Sequence, residues 1–144
     1  MRSLLRSVVL WVFGGAQYFL LEVAWKLARG HPGEISWTML VLAAVVCVPL
    51  DQINERMPWD MPLWMQALFG GIGITGAELA AGGILNLWLG LGVWDYSRIP
   101  CNLWGQICLP FSLLWVLVAG IGIVLFDWLR FWLYGEPRPN YYWR

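Results

Sequence analysis

Residues 63–93 read LWMQALFGGIGITGAELAAGGILNLWLGLGV, with Glu78 as their single charged side chain. About 20 apolar residues suffice to cross a bilayer as a helix, so a span of this length would tilt or project. Gly70, Gly71, Gly73 and Gly76 would weaken a helix in water. In lipid they allow neighbouring helices to approach closely. The run therefore reads as a membrane helix that packs against partners.

Three further apolar runs flank it, at 8–28, 37–53 and 103–126. The expected fold is an all-α integral membrane bundle of about four transmembrane helices, forming a single transmembrane domain over 1–144. The tail at 127–144 is polar and aromatic, and Pro137 and Pro139 block regular helix there. Pro110 interrupts the fourth run and leaves a second option for it. Residues 101–109 would then form a short re-entrant helix before a span starting near Phe111, which makes 96–110 a re-entrant or interfacial segment. Irregular backbone at that depth requires cover from protein or water.

Composition agrees with this class. The chain is 60% hydrophobic and 12% charged, with a mean hydropathy of +0.62, whereas a soluble domain is about a quarter charged. Twelve Trp and five Tyr are many for 144 residues, and several flank the apolar runs, where headgroup-level aromatics belong. Membrane lipids are thus the first expected partners. A formal net charge of zero gives no reason to expect nucleic acid. Arg2 and Arg6 ahead of an apolar run imitate a signal peptide. The run continues to about Leu27 without a small-x-small cleavage site before Glu22, so it reads as a retained span.

With four spans both termini lie on one side of the membrane. That side carries Arg2, Arg6, Arg56, Arg130, Arg138 and Arg144, against Lys26, Arg29 and Arg98 on the other. The excess of cations puts both termini in the cytoplasm of a multi-pass membrane protein.

Several motif classes are missing from the sequence. Cys47, Cys101 and Cys108 form no CxxC and no metal-ligand spacing, and no cofactor or metal is expected. A Cys101–Cys108 disulfide is conceivable only if that loop is extracytoplasmic. His31, the single histidine, sits in the turn Arg29-Gly30-His31-Pro32-Gly33-Glu34 and reads first as a solvated loop residue. The Gly-rich patch 70–76 lacks the Gly-Lys-Ser/Thr ending of a phosphate loop, so any ATP would have to be bound by another subunit. HExxH and GxSxG are also absent, which leaves hydrolase chemistry little to stand on.

The candidate site residues are polar groups at or beside lipid depth. A charge at the centre of a span costs about 2.5–3.5 kcal/mol on insertion scales. Glu78 is therefore protonated, paired or facing water. Gly71, Thr75, Glu78 and Gly82 share a helical face, with Asn86 at its edge. Glu78 either fixes helix pairing within that seam or contacts an ion or substrate. Glu22 has the same two readings, and Lys26 lies four residues on in the orientation that favours a helical ion pair. Asp127 and Arg130, three residues apart after the last apolar run, read as markers of the cytoplasmic interface.

Between the third and fourth runs lies Trp94-Asp95-Tyr96-Ser97-Arg98-Ile99-Pro100-Cys101-Asn102-Leu103-Trp104-Gly105-Gln106-Ile107-Cys108. This is more hydrogen-bonding chemistry than a plain connector needs. It either lines a site or clamps the helix ends. Asp95 and Arg98 are three apart, Asn102 and Gln106 one helical turn apart, and Tyr96 and Ser97 can reach headgroups or loop carbonyls. The ligand- or ion-binding candidates are Glu78, Glu22, Asn86, Asp95, Asn102 and Gln106, with Thr75, Tyr96, Ser97, Arg98 and His31 as additional ones. On the four-span topology Glu22, Lys26, Arg29, His31, Asp95, Arg98, Asn102 and Gln106 lie toward the outer leaflet, a polar funnel with Glu78 at its base.

Leu21-Glu22-Val23-Ala24-Trp25-Lys26, Ile74-Thr75-Gly76-Ala77-Glu78, Asn86-Leu87-Trp88-Leu89-Gly90, Val93-Trp94-Asp95-Tyr96-Ser97 and Gly105-Gln106-Ile107-Cys108 also carry a resemblance. Over roughly residues 12–140 the chain is similar to the Putative ABC-transporter type IV (CmpB-like) family of small bacterial integral membrane proteins. That resemblance implies an ABC-transporter membrane component, and it transfers no catalytic residues.

The leading expectation is a small integral membrane transport protein, channel-like or a permease subunit, whose intramembrane carboxylates line a polar site. Four spans are few for a permease half, so a homo-oligomer or a partner membrane or ATPase subunit is expected. Two alternatives stand beside it. One is a membrane scaffold or assembly subunit whose polar residues only pack helices. The other is an intramembrane enzyme acting on a lipid headgroup, for which no nucleophile or metal constellation is present.

Overall fold

The computed structural model describes residues 2–28, 30, 37–56 and 60–143. His31 and Arg29 lie outside the described residues. Among the described residues there are four α-helices: α1 (Arg2–Ala28), α2 (Thr38–Arg56), α3 (Leu63–Gly82) and α4 (Leu109–Tyr134). Among the described residues three helical stretches, Leu4–Ala28, Leu63–Trp88 and Leu109–Tyr134, are long and apolar enough to cross a membrane; α2, expected as the second span, is not one of them.

The helix bounds differ from the expected spans: α1 begins at Arg2 rather than 8, α2 runs to Arg56 rather than 53, and the third and fourth spans differ further. The third span, expected to reach residue 93, passes into a π-helical turn (Gly83–Trp88) and then stops. Beyond it Gly90 and Gly92 adopt φ of 65° and 58°, which a continuing helix cannot use. The fourth span begins at Leu109 rather than 103. Pro110 lies in its first turn, where the missing N–H is not needed, so it starts the helix instead of interrupting it. That helix also outlasts residue 126 and runs to Tyr134, where Gly135 closes it in the left-handed region at φ 68°.

The short re-entrant helix expected over 101–109 is instead a β-hairpin. Strand β1 (Asn102–Leu103) pairs antiparallel with β2 (Ile107–Cys108), with Leu103 opposite Ile107. The Gln106 N–H donates to the Leu103 carbonyl over 3.0 Å. The two residues between, Trp104 and Gly105, have φ of 53° and 69°. Two positive φ values inside a closed four-residue turn are the signature of the hairpin turn whose twist matches the strands.

α3 packs on α4 and α1 on α2, and α2 bridges to both α3 and α4. One buried cluster joins all four helices: Leu10 of α1, Cys47 of α2, Ile74 of α3, and Trp115, Ala119 and Phe126 of α4. The α3–α4 contact is close because Gly71 has no side chain. A Cβ there would lie 2.8 Å from Val116 Cα and 2.5 Å from its Cγ2. The outer face of α4 is left bare, with Leu117 and Ile121 66% and 68% exposed. Side chains that apolar need lipid or a partner around them.

Candidate functional site

Glu78 is buried in the last full turn before α3 gives way to the π-helical turn. Two donors from different parts of the chain converge on its carboxylate. Trp115 Nε1, from α4, donates to Oε2 over 2.8 Å. The Tyr96 hydroxyl, from the segment above, donates to Oε1 over 2.9 Å. Tyr96 is in turn stacked on Phe111 of α4 at 4.9 Å between ring centroids, and Tyr18 of α1 lies 5.8 Å from the Trp115 ring. A carboxylate offers about four lone-pair sites, so two hydrogen bonds leave it capacity for another donor.

Above Glu78 sits a cap made by the end of α3, residues 93–101 and the β-hairpin. Asn86, on the π-helical turn, ties it to α3. Its Nδ2 donates to Gln106 Oε1 at 2.8 Å and to the Trp94 carbonyl at 3.1 Å, and its Oδ1 accepts from the Val93 N–H at 2.7 Å. Gln106 is buried. Its Nε2 donates to the Trp104 carbonyl, and its own carbonyl accepts from Trp94 Nε1 at 2.9 Å. It can sit against α3 because residue 82 is glycine, where a Cβ would meet Gln106 Oε1 at 2.5 Å.

Asp95 and Asn102 hold the outer half of the cap. Asp95 accepts from the Ser97 N–H at 2.8 Å and from its hydroxyl at 2.9 Å. These two bonds, with a smaller contribution from the Arg98 charge, hold the Asp95 carboxyl below the usual aspartate range. Asn102 Nδ2 donates to the Ser97 and Ile99 carbonyls, and its Oδ1 accepts from the Gly105 N–H. The Tyr96 N–H donates to the Gly105 carbonyl at 2.8 Å, which fixes the residue that reaches Glu78. Burial, then the charge and hydrogen bond of Glu78, push the Tyr96 phenol up from its ordinary value.

A cavity of about 170 Å³ opens between the four helices beside Glu78, with Trp94 of the cap in its lining. Its polar end carries Gln17, Tyr18, Glu78, Trp94 and Trp115, and the remainder is aliphatic or glycine apart from Cys47 and Phe126. Cys47 also borders it as a buried cysteine, and Cys101 and Cys108 are free cysteines.

The sequence candidates thus divide into groups. Glu78 and Tyr96 meet directly, Asn86 meets Gln106, and Asp95, Ser97 and Asn102 form one network. Arg98 is exposed on the cap beside Asp95. Glu22 is not joined to the cap; it pairs with Lys26 at 2.9 Å on α1. Thr75 is half-buried one turn before Glu78. Among the described residues no group of three or more His, Cys, Asp or Glu could hold a metal ion.

Tyr18, Trp94 and Trp115 are not among the candidates the sequence singled out, although Trp94 opens the polar block. Trp115 did leave a signal, since an indole in mid-span has no headgroup level to occupy and must place its N–H inside the protein. A second polar cluster lies at the opposite end of the bundle. Asp127 and Arg130 are buried there, Tyr141 donates to Asp127 Oδ2 at 2.9 Å, and Arg130 Nη1 lies 3.6 Å from Glu136 Oε2.

Packed helices of membrane-crossing length, with a carboxylate buried beneath a hydrogen-bonded cap, define a polytopic α-helical membrane protein. The family model described as Putative ABC-transporter type IV matches residues 9–133. The chain belongs to that family, and the match runs from the first turns of α1 through the cap to the last turn of α4. No curated protein and no solved structure matches the chain.

Proposed function

We propose that the protein is a small transport component of the bacterial inner membrane, channel-like or a permease subunit, in which Glu78 contacts the substrate. The observation carrying this reading is the position of Glu78. Its carboxylate borders the inter-helix cavity while Tyr96 and Trp115 hold it from the cap and from α4. A carboxylate at lipid depth is costly, and one that borders a cavity has a reason to be there.

In this reading Asn86, Asp95, Asn102 and Gln106 are positioning residues. They keep the cap closed, and Tyr96 links cap movement to the carboxylate. Glu22, paired with Lys26, lies on the α1 turn beyond Tyr18 and completes the polar approach. With α2 counted as a fourth span, the excess of cations at the termini supports a cytoplasmic location for both. The sequence carries no phosphate-loop motif, so ATP-driven transport would draw on a partner ATPase subunit, and the small bundle would work as a homo-oligomer or within a larger membrane complex.

The test is flux in reconstituted vesicles, read electrically against a panel of inorganic cations, organic amines and organic anions. Glu78→Gln abolishes the wild-type signal for the transported class. A signal unchanged in Glu78→Gln overturns the assignment.

A scaffold role has its own supporting observation: Asp95, Asn102 and Asn86 spend their side chains on bonds within the cap. It predicts that Glu78→Gln weakens assembly, seen as a change in the native mass of the detergent-extracted complex, and alters no flux.

A further inference from the structure

The cavity beside Glu78 carries a more specific chemistry than a bare carboxylate. We propose that it is a binding site for an organic ammonium cation, with the quaternary or alkylated nitrogen held at Glu78 between Tyr18, Trp94 and Trp115. This rests on the reading of Glu78 as the substrate contact and names the class of substrate.

Three features of the cavity point the same way. Its polar end combines one carboxylate with three electron-rich aromatic side chains and no Lys, Arg or His among the described lining residues. A carboxylate supplies the counter-charge, and aromatic rings within about 6 Å attract a cation while replacing little of its hydration. A small metal ion would need more oxygen ligands than this end offers, since divalent cations take about six or more.

The remainder of the wall is apolar, including Ile74 and Phe126, and suits a ligand whose charge is wrapped in or attached to hydrocarbon. Size sets the scale as well. At about 170 Å³, the cavity is near the ~150 Å³ of an apolar cavity that accommodates benzene. It is smaller than the roughly 300–1,000 Å³ sites of drug-sized ligands. A trialkylammonium head with one small apolar substituent fits that range.

The experiment is calorimetric titration of the purified full-length protein in detergent. The probes are benzyltrimethylammonium and neopentylbenzene, its uncharged isostere in which carbon replaces nitrogen. The expected result is binding of the cation at least tenfold tighter than the isostere, loss of at least tenfold in Glu78→Gln, and a several-fold loss in Tyr18→Leu. Tyr18→Leu leaves Glu78 and its two hydrogen bonds in place, so it keeps the test readable if Glu78→Gln fails to fold. Equal binding of both probes overturns the cation assignment and makes the cavity an apolar site. No binding of either probe also overturns it. Both outcomes are independent of the flux test: a Glu78-dependent flux of some other class with no cation binding removes this inference and leaves the transport reading standing.

Discussion

Trp115 and Glu78, 37 residues apart in sequence, are joined by an N–H to carboxylate hydrogen bond of 2.8 Å in the buried centre of the bundle. The bond is the side-chain tie between α3 and α4 at the level of the cavity. Its geometry ranks the substitutions at these positions. Trp115→Phe keeps a ring in place and removes the donor, leaving Glu78 Oε2 short of a partner. A buried acceptor left unsatisfied costs about 1–3 kcal/mol. The expected outcome is a lower unfolding temperature in detergent. Trp115→Phe combined with Glu78→Leu and Tyr96→Phe should recover part of the loss, because Glu78 and both of its donors are then gone. A triple variant no more stable than Trp115→Phe alone would show that the bond is not what Trp115 supplies.

The glycines of α3 separate by what they face. Gly71 lies against the backbone of Val116 and Gly82 against the Gln106 side chain, whereas a Cβ at Gly73 or Gly76 would meet nothing within 4 Å. Overpacking a close contact costs about 1–3 kcal/mol. Replacing an exposed mid-helix glycine by alanine gains up to about 1 kcal/mol of helix propensity. Gly71→Ala and Gly82→Ala should therefore lower thermal stability, while Gly73→Ala and Gly76→Ala hold or raise it. Four thermal melts check this, and equal effects at all four positions would refute the assigned α3–α4 contact.

That division also shows what the sequence could convey. Apolar length announced the helices, and the glycine-rich face with Glu78 announced a packing seam on α3, because both signals are local and periodic. The cap was visible only as an excess of polar residues. Whether 101–109 forms a helix or a hairpin depends on Trp104 adopting a positive φ, an unusual choice for a bulky residue that no propensity favours. The partners of Glu78 were legible only in part. Tyr96 lay within the polar block, but Trp115 looked like one more apolar residue of the last span. Tail docking on Asp127 was hidden for the same reason: Tyr141 follows Pro137 and Pro139, which predict only an irregular chain.

Asp95 makes the outer cap sensitive to acid. Its folded-state carboxyl is held below the ordinary value, so its contribution is complete above the unfolded value of about 3.9. That contribution is lost as pH falls through the folded value. Between neutral pH and about 4 the Asp95–Ser97 bonds should not change. Below that, protonation weakens the bonds from Ser97, and hydrogen exchange at the Ser97 amide should accelerate beyond its intrinsic pH dependence. Asp95→Ala should show fast Ser97 exchange at every pH. An Asp95→Ala protein with Ser97 still protected would place the protection elsewhere.

At the other end of the bundle the tail folds back over the helix ends. Tyr141 donates to Asp127 Oδ2 at 2.9 Å, and the Leu63 N–H donates to the Tyr142 carbonyl at 2.9 Å. The first turn of α3 therefore depends on the tail for one of its unsatisfied N–H groups. Arg138 stacks over the Trp128 ring at 5.7 Å and adds a third attachment. Tyr141→Phe removes the hydroxyl alone. A hydrogen bond to a charged group is worth about 1.5–3 kcal/mol. The loss should fall at the lower end because Asp127 has further interactions. The effect is local, so the measurement is exchange of the Leu63 amide, which should accelerate roughly tenfold for each 1.4 kcal/mol lost. Burial, followed by the Asp127 charge, pushes the Tyr141 phenol up from its usual value. A raised folded-state value means the stabilisation is complete below about pH 10 and declines only as pH rises through the folded value. Wild-type Leu63 should thus show no loss of protection, relative to intrinsic exchange, from pH 7 to pH 9.5, and Tyr141→Phe should run parallel to it at a faster rate. Identical exchange in the two proteins would mean that the tail is held by Arg138 and Tyr142 without the Tyr141–Asp127 bond.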